Sequence, residues 1–379
     1  MTASTNRTYL PEVDQLRALA ALLVLFFHGF KLIGTQLALG RPAGLMTPPV
    51  RPGNPLLAII EEGHSGVALF IVLSGFILAR GAIGNGIRYG SFLTARAYRI
   101  YPMMLVCLFA AICAHQVPLA GVAELLLPVN PLGGVSAGHL TAMFWAVTIE
   151  IQCYLVFPFL IGFSNVRGVR FLLQVVAVVF VMRLLLVLTD GADAYEIGYW
   201  SIMGRLDQFC LGIAAARLYP PEGLGRRGPI WLLSSLALAA LSLYLYNRLQ
   251  PARTTGLDLL WPTFEGAMWA AVIVTYVAAA RSVVPRVVAN ALIRFGEVSY
   301  SFYLLHFAVI FAVIREGLFV HPTGNGYWDA LATTFAVVLP ATGALAVLTY
   351  NTIEAPFLGL RPKYIIRQSA VGRSDVVAL

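Results

Sequence analysis

Apolar residues gather along the chain in ten long blocks, near 16–33, 64–84, 100–117, 140–162, 171–189, 203–219, 230–247, 264–280, 297–315 and 329–350. Short intervals rich in Gly, Pro, Arg and Asn separate them. Each block approaches the roughly 20 residues that a helix needs to cross a bilayer core. The pattern predicts an all-α, polytopic membrane protein of about ten transmembrane helices. No interval is long enough for a soluble domain of ordinary size. Residues 1–362 therefore read as one integral membrane domain, and the polar stretch 363–379 as a flexible cytoplasmic tail.

Composition agrees with the pattern. Of 379 residues, 59% are hydrophobic and 12% charged, with a mean hydropathy of +0.79, against roughly 25% charged in soluble domains. The net charge of +8 raises nucleic acid as a partner, but its distribution excludes it. With the N-terminus inside, 17 of the 26 basic residues fall in cytoplasmic segments and five in outer loops, the bias expected of a membrane protein. Both termini are then cytoplasmic, as an even number of spans requires. Reading 18–27 as a cleaved signal core would leave nine spans and contradict that bias. Cys107, Cys113, Cys153 and Cys210 all lie within proposed spans without metal-ligand spacing, and read as small buried hydrophobes.

Ionisable side chains at bilayer depth are costly and usually face a cavity or a partner. Here they are His28, Glu150, Arg183, Arg205, Asp207, Glu265 and His306. Arg17 and His28 are eleven residues apart, which returns to within about 20° of one helix face and rises about 16 Å. A long ligand could be held at its anionic end by Arg17 and react near His28. Glu150 and His306 fall at similar mid-depth, so two histidines and a carboxylate are expected to form a buried proton-handling cluster. Unrelated hydrogen bonds between helices are the alternative. Helical spacing puts Tyr154 on the face of Glu150 and Tyr303 on that of His306. In "SFLTARAYRIYP", Arg96 and Arg99 lie one turn apart before the third span. They serve either as positive-inside anchors or as paired guanidinium forks for phosphate. His64, His115, His139 and His321 sit at the outer ends of spans without partners at ligand spacing, and no metal is expected.

Seven stretches, taken in order, resemble the integral membrane acyltransferase 3 family. They are "VDQLRALAALLVLFFH", "GVALFIVLSGFILA", "TARAYRIYP", "WAVTIEIQCYLVFPFL", "GRLDQFCLG", "SYSFYLLH" and "NTIEAPF", spread over about residues 12–357. Ala68, Ala146, Gln208 and Ala355 depart from the usual pattern, which bears on acceptor preference. Some members carry a soluble esterase-like domain after the last span. Only 22 residues follow Phe357 here, so that domain is expected to be absent.

The resemblance implies a multi-pass enzyme of the bacterial inner membrane. It would move an acyl group, often acetyl, from acyl-CoA to a hydroxyl of a sugar, glycolipid or envelope polysaccharide, with no bound cofactor. Arg17, Arg96 and Arg99 would then bind acyl-CoA. His28 would be the general base or the acyl-accepting nucleophile, with Glu150 orienting its imidazole or stabilising its cation. Tyr303 and His306 would serve the oxyanion or the acceptor. A proton-coupled transporter or lipid flippase using the buried His and Glu residues is the rival reading.

Overall fold

The computed structural model describes residues 9–40, 54–127, 138–220, 223–249 and 255–367. They are almost entirely helical. The chain begins with α1 (Pro11–Leu39), which has proline at its start, Glu12 and Asp14 in its first turn, and a left-handed Gly40 closing it. Next come α2 (Pro55–Glu61), α3 (Gly66–Ala82), the two-residue strand β1 (Gly86–Ile87) and α4 (Tyr89–Cys113). The short α5 (Val122–Leu126), α6 (Phe144–Arg167), α7 (Val169–Asp190) and α8 (Ala194–Trp200) follow. Beyond them lie α9 (Leu206–Leu218), α10 (Gly228–Leu249), α11 (Thr255–Val283), α12 (Arg286–Glu297) and α13 (Ser299–Glu316). The last crossing is built from α14 (Gly326–Thr333), α15 (Leu339–Thr349) and α16 (Ala355–Gly359), joined by π-helical turns at Thr334–Val338 and Tyr350–Glu354.

Among the described residues, nine helical segments are long and apolar enough to cross a membrane, against the ten expected. The difference lies at the sixth block. There α9 has only 13 residues, about 20 Å of rise, and is entered through a single 3-10 turn, Ile202–Gly204. The interruption has a physical cause: a Cβ on Gly204 would stand 1.8 Å from the Gly198 carbonyl oxygen, so the two backbones touch and the helix cannot run straight on. Even so, α9 runs beside α3 in the same direction. His64 below α3 packs on Tyr199, and Phe76 near its end packs on Tyr219.

Helices α1 and α3 form the centre, and α9 packs against α3 along its length. Lipid-facing positions are apolar as a bilayer requires, including Val178 and Leu188 on α7 and Leu233 and Leu238 on α10, all exposed. On the face that carries both ends of the described chain, α12 lies against α1. Gly296 permits this, since its Cβ would stand 1.9 Å from the Asp14 carbonyl oxygen.

The expected flexible tail is corrected at its start. Residues Ile365–Ile366 form β2, which pairs antiparallel with β1. Arg88 N donates to the Tyr364 carbonyl at 2.9 Å, and the Tyr364 ring is buried against Phe92. An aromatic anchor and a strand pair thus fix the chain after Pro362. Residues 368–379 lie outside the described residues.

Candidate active site

A cavity of about 580 Å³ opens between α1, α3, α4, α6, α13 and the last crossing, on the face that carries the chain ends. Its mouth is cationic, with Arg17, Arg96, Arg99 and Arg361 all lining it. The helix α4 starts at Tyr89, eleven residues before the expected third span. Arg96 and Arg99 therefore stand two turns inside a membrane helix, not in a loop, because β1 and Tyr364 hold the start of α4 at the inner face.

The four guanidinium groups are held differently. Arg17 Nη1 donates to Asp14 at 2.9 Å, and Arg99 Nη1 donates to Glu354 at 3.1 Å. Arg96 lies over the rings of Phe92, Tyr154 and Tyr364, at 5.7, 5.7 and 5.8 Å from their centroids. Its Nε is buried without a hydrogen-bond partner. Burial, together with the neighbouring Arg96 and Arg99, pushes the Arg361 guanidinium down to about 10. Arg17 is paired with Asp14 and Arg99 with Glu354, so among the described residues Arg96 and Arg361 are the mouth cations with no carboxylate within ion-pair reach, the pair left to meet an anionic group. At the rim, burial and nearby Asp14 raise the Glu297 carboxyl above its ordinary range.

Glu354 is fully buried in the second π-turn. It accepts hydrogen bonds from Ser301 N, Ser301 Oγ and Arg99. It is a positioning residue for Arg99. Glu354 lies in the quoted stretch "NTIEAPF", but the tenth apolar block stops at 350, so the sequence marks the residue without giving it a depth or a partner. Arg361 was missed because it looked like any inner-face cation. The π-turn, which lets a polar helix stretch continue inward past Tyr350, carries no plain sequence mark.

Farther in, Glu150 accepts from Ser74 Oγ at 2.9 Å and from the Tyr154 hydroxyl. The expected three-member cluster does not form. His28 instead meets His306, with His28 Nδ1 and His306 Nε2 at 2.9 Å. His306 Nδ1 lies 2.6 Å from the Tyr303 carbonyl oxygen. Glu150 is thus no partner of His28. Facing Ser74 and Tyr154 across α3 and α6, it belongs to the wall of the cavity.

The two contacts fix the tautomers of a neutral pair. A carbonyl only accepts, so His306 Nδ1 carries the proton and Nε2 the lone pair. His28 Nδ1 must then donate to that lone pair, which leaves His28 Nε2 as a free lone pair. Phe27 and Phe307 pack beside the His28 ring, with centroids at 4.8 and 5.3 Å. Tyr303 lines the inner end of the cavity and bonds the dyad through its carbonyl, while its hydroxyl is buried without a partner.

The remaining ionisable residues form a separate set. Arg183 donates to Asp207 at 3.3 Å and to Thr263 at 2.8 Å. Arg205 donates to Gln208 at 3.0 Å and reaches Glu265 at 3.5 Å. Gln208 also donates to Glu265 at 3.0 Å. These bonds tie the break before α9 to α7 and α11 and leave the buried charges compensated.

A family model described as an acyltransferase domain matches residues 10–350. The chain belongs to that acyltransferase family. A protein of Staphylococcus aureus (strain COL), provisionally named an O-acetyltransferase, is 24% identical over 94% of this chain and 60% of its own length. An acyltransferase of Streptomyces mycarofaciens is 29% identical over 81% of this chain and 84% of its own. A protein of Acidianus two-tailed virus, provisionally named an acetyltransferase, is 25% identical over 79% and 83%. The chain thus spans about 60% of the length of the Staphylococcus relatives. No solved structure matches it.

Proposed function

We propose that this acyltransferase moves an acyl group, acetyl in the first instance, from acyl-CoA to a hydroxyl of a sugar, glycolipid or envelope polysaccharide at the bacterial inner membrane. The observation that carries the reading is the cavity itself. Its mouth gathers Arg17, Arg96, Arg99 and Arg361, and its inner end reaches Tyr303, whose backbone holds the histidine dyad. Coenzyme A is a phosphate-bearing nucleotide on a long arm. The guanidinium forks suit its phosphates, and the arm would extend inward from Arg17 to Tyr303, whose carbonyl meets the His306 ring; neither histidine itself lines the cavity.

In the reaction, the acceptor hydroxyl gives its proton to His28 Nε2 as its oxygen attacks the thioester carbonyl. The C–O bond forms, the C–S bond breaks, and the leaving thiolate takes the proton from His28. His306 accepts from His28 Nδ1 throughout and so holds the imidazole with Nε2 outward, a positioning role. Holding both substrates in one cavity supplies further acceleration.

The test is transfer of radiolabelled acetyl from acetyl-CoA to envelope glycans, in membranes carrying wild type or His28→Ala. A positioned base contributes about 10²–10⁴-fold, so labelling by His28→Ala should fall by that order. Equal labelling would sink the assignment.

A further inference from the structure

The cavity changes character along its length. Helices α3 and α6 both run toward the mouth, so lower residue numbers on them lie farther in. The last polar belt is made of Ser74, Glu150 and Tyr154. Beyond it, α3 contributes Phe70 and Val67, and α6 contributes Val147 and Ala146. The Phe70 ring closes edge-on against Tyr303, with centroids 5.9 Å apart. This end extends about 6–10 Å beyond the belt, judged from four residues on α6 and seven on α3. Its one polar side chain among those named is the Tyr303 hydroxyl.

We infer that this inner end is an acyl sleeve that takes chains longer than acetyl, with Ala146 and Phe70 setting its length. The inference rests on the acyl-CoA reading, because a phosphate-held donor places its acyl end innermost. A hydroxyl-rich acceptor does not suit the same space. Its several hydroxyls would be desolvated against Val67, Phe70 and Val147 with a single partner to satisfy them. Methylenes gain there what hydroxyls lose. Ala146, where the resemblance leads one to expect a small hydroxyl residue, keeps the wall both narrow in side chain and apolar.

The sleeve is tested by binding, which needs no acceptor. The purified protein in detergent is titrated with CoA and with acetyl-, propionyl-, butyryl- and hexanoyl-CoA. Each acyl-CoA is referred to CoA itself, so that a variant with a damaged fold loses the reference as well. Burial of one methylene is worth about 0.8 kcal/mol, so affinity should rise about fourfold per carbon from acetyl to butyryl. Ala146→Leu should flatten that gradient by filling the sleeve. Phe70→Ala should carry it on to hexanoyl. Equal affinity for acetyl- and butyryl-CoA in the wild type overturns the sleeve, as does a gradient that neither substitution moves. Failure of CoA and of every acyl-CoA to bind overturns the donor reading beneath it.

Discussion

Arg361 shows how one residue reports the chemistry of a site before any ligand is present. Its guanidinium is pushed down to about 10 by burial and by Arg96 and Arg99. The cationic form is thus disfavoured in the folded protein relative to the unfolded chain. Stability is reduced while Arg361 is charged, and the loss is relieved as pH rises through about 10 toward the ordinary arginine range. A residue kept under those conditions needs a compensating partner, and phosphate would supply one. Arg361→Ala should therefore leave the melting temperature of the ligand-free protein unchanged or higher. It should also weaken CoA by about 10- to 150-fold, since a hydrogen bond to a charged group is worth about 1.5–3 kcal/mol. Thermal melts with and without CoA check both parts. A lower melting temperature with unchanged CoA affinity would make Arg361 a structural clamp on Leu358, whose carbonyl its Nε bonds at 2.9 Å.

At the scale of elements, glycine decides where helices approach closely enough to build the cavity wall. A Cβ on Gly75 would stand 2.2 Å from the Phe209 carbonyl oxygen, and one on Gly212 would stand 2.0 Å from that of Val72. Both obstacles are backbone, so α3 and α9 would have to separate. Ser74, which bonds Glu150, sits next to Gly75 and would move with it. Gly75→Ala or Gly212→Ala should cost about 1–3 kcal/mol, read as a lower melting temperature in detergent. Phe209→Ala should not rescue Gly75→Ala, because that clash is with the main chain of Phe209. An unshifted melt for Gly75→Ala would contradict the packing. Such contacts leave little trace in a hydropathy pattern. The blocks gave the helices and the single face shared by Arg17 and His28, because spacing within one helix is fixed by its own geometry. They did not give the partner of His28. Equal depth was the expectation, and it is depth that fails: Glu150 bonds Ser74, eight residues nearer the mouth than Gly66, which packs on Ala20, so Glu150 sits level with the first turns of α1 and far short of His28. The π-turn that brings Glu354 to Arg99 was illegible for a related reason: it alters helix phase without altering composition.

For the whole molecule, the loop charges and the cavity make one joint statement about sidedness. With Arg96 and Arg99 placed inside α4, 15 of the 17 basic residues expected in inner segments remain there and still favour that orientation, and the cavity mouth opens on that same face. On the proposed acyl-CoA reading, the donor enters from the face that carries those basic segments. Cysteine labelling tests orientation and access together. Three of the four native cysteines are buried and only Cys113 is exposed, so Cys113→Ser gives a quiet background. Into it, Arg226→Cys reports the turn before α10, Asp190→Cys the opposite end of α7, and Arg361→Cys the cavity mouth. In intact cells, a membrane-impermeant maleimide should label Asp190→Cys alone. Arg226→Cys and Arg361→Cys should react only once the membrane is permeabilised. Labelling of Arg361→Cys together with Arg226→Cys in intact cells would reverse the orientation and place the cationic mouth where no acyl-CoA reaches it. Labelling of Arg361→Cys with Asp190→Cys would instead detach the mouth from the face that carries β1 and β2.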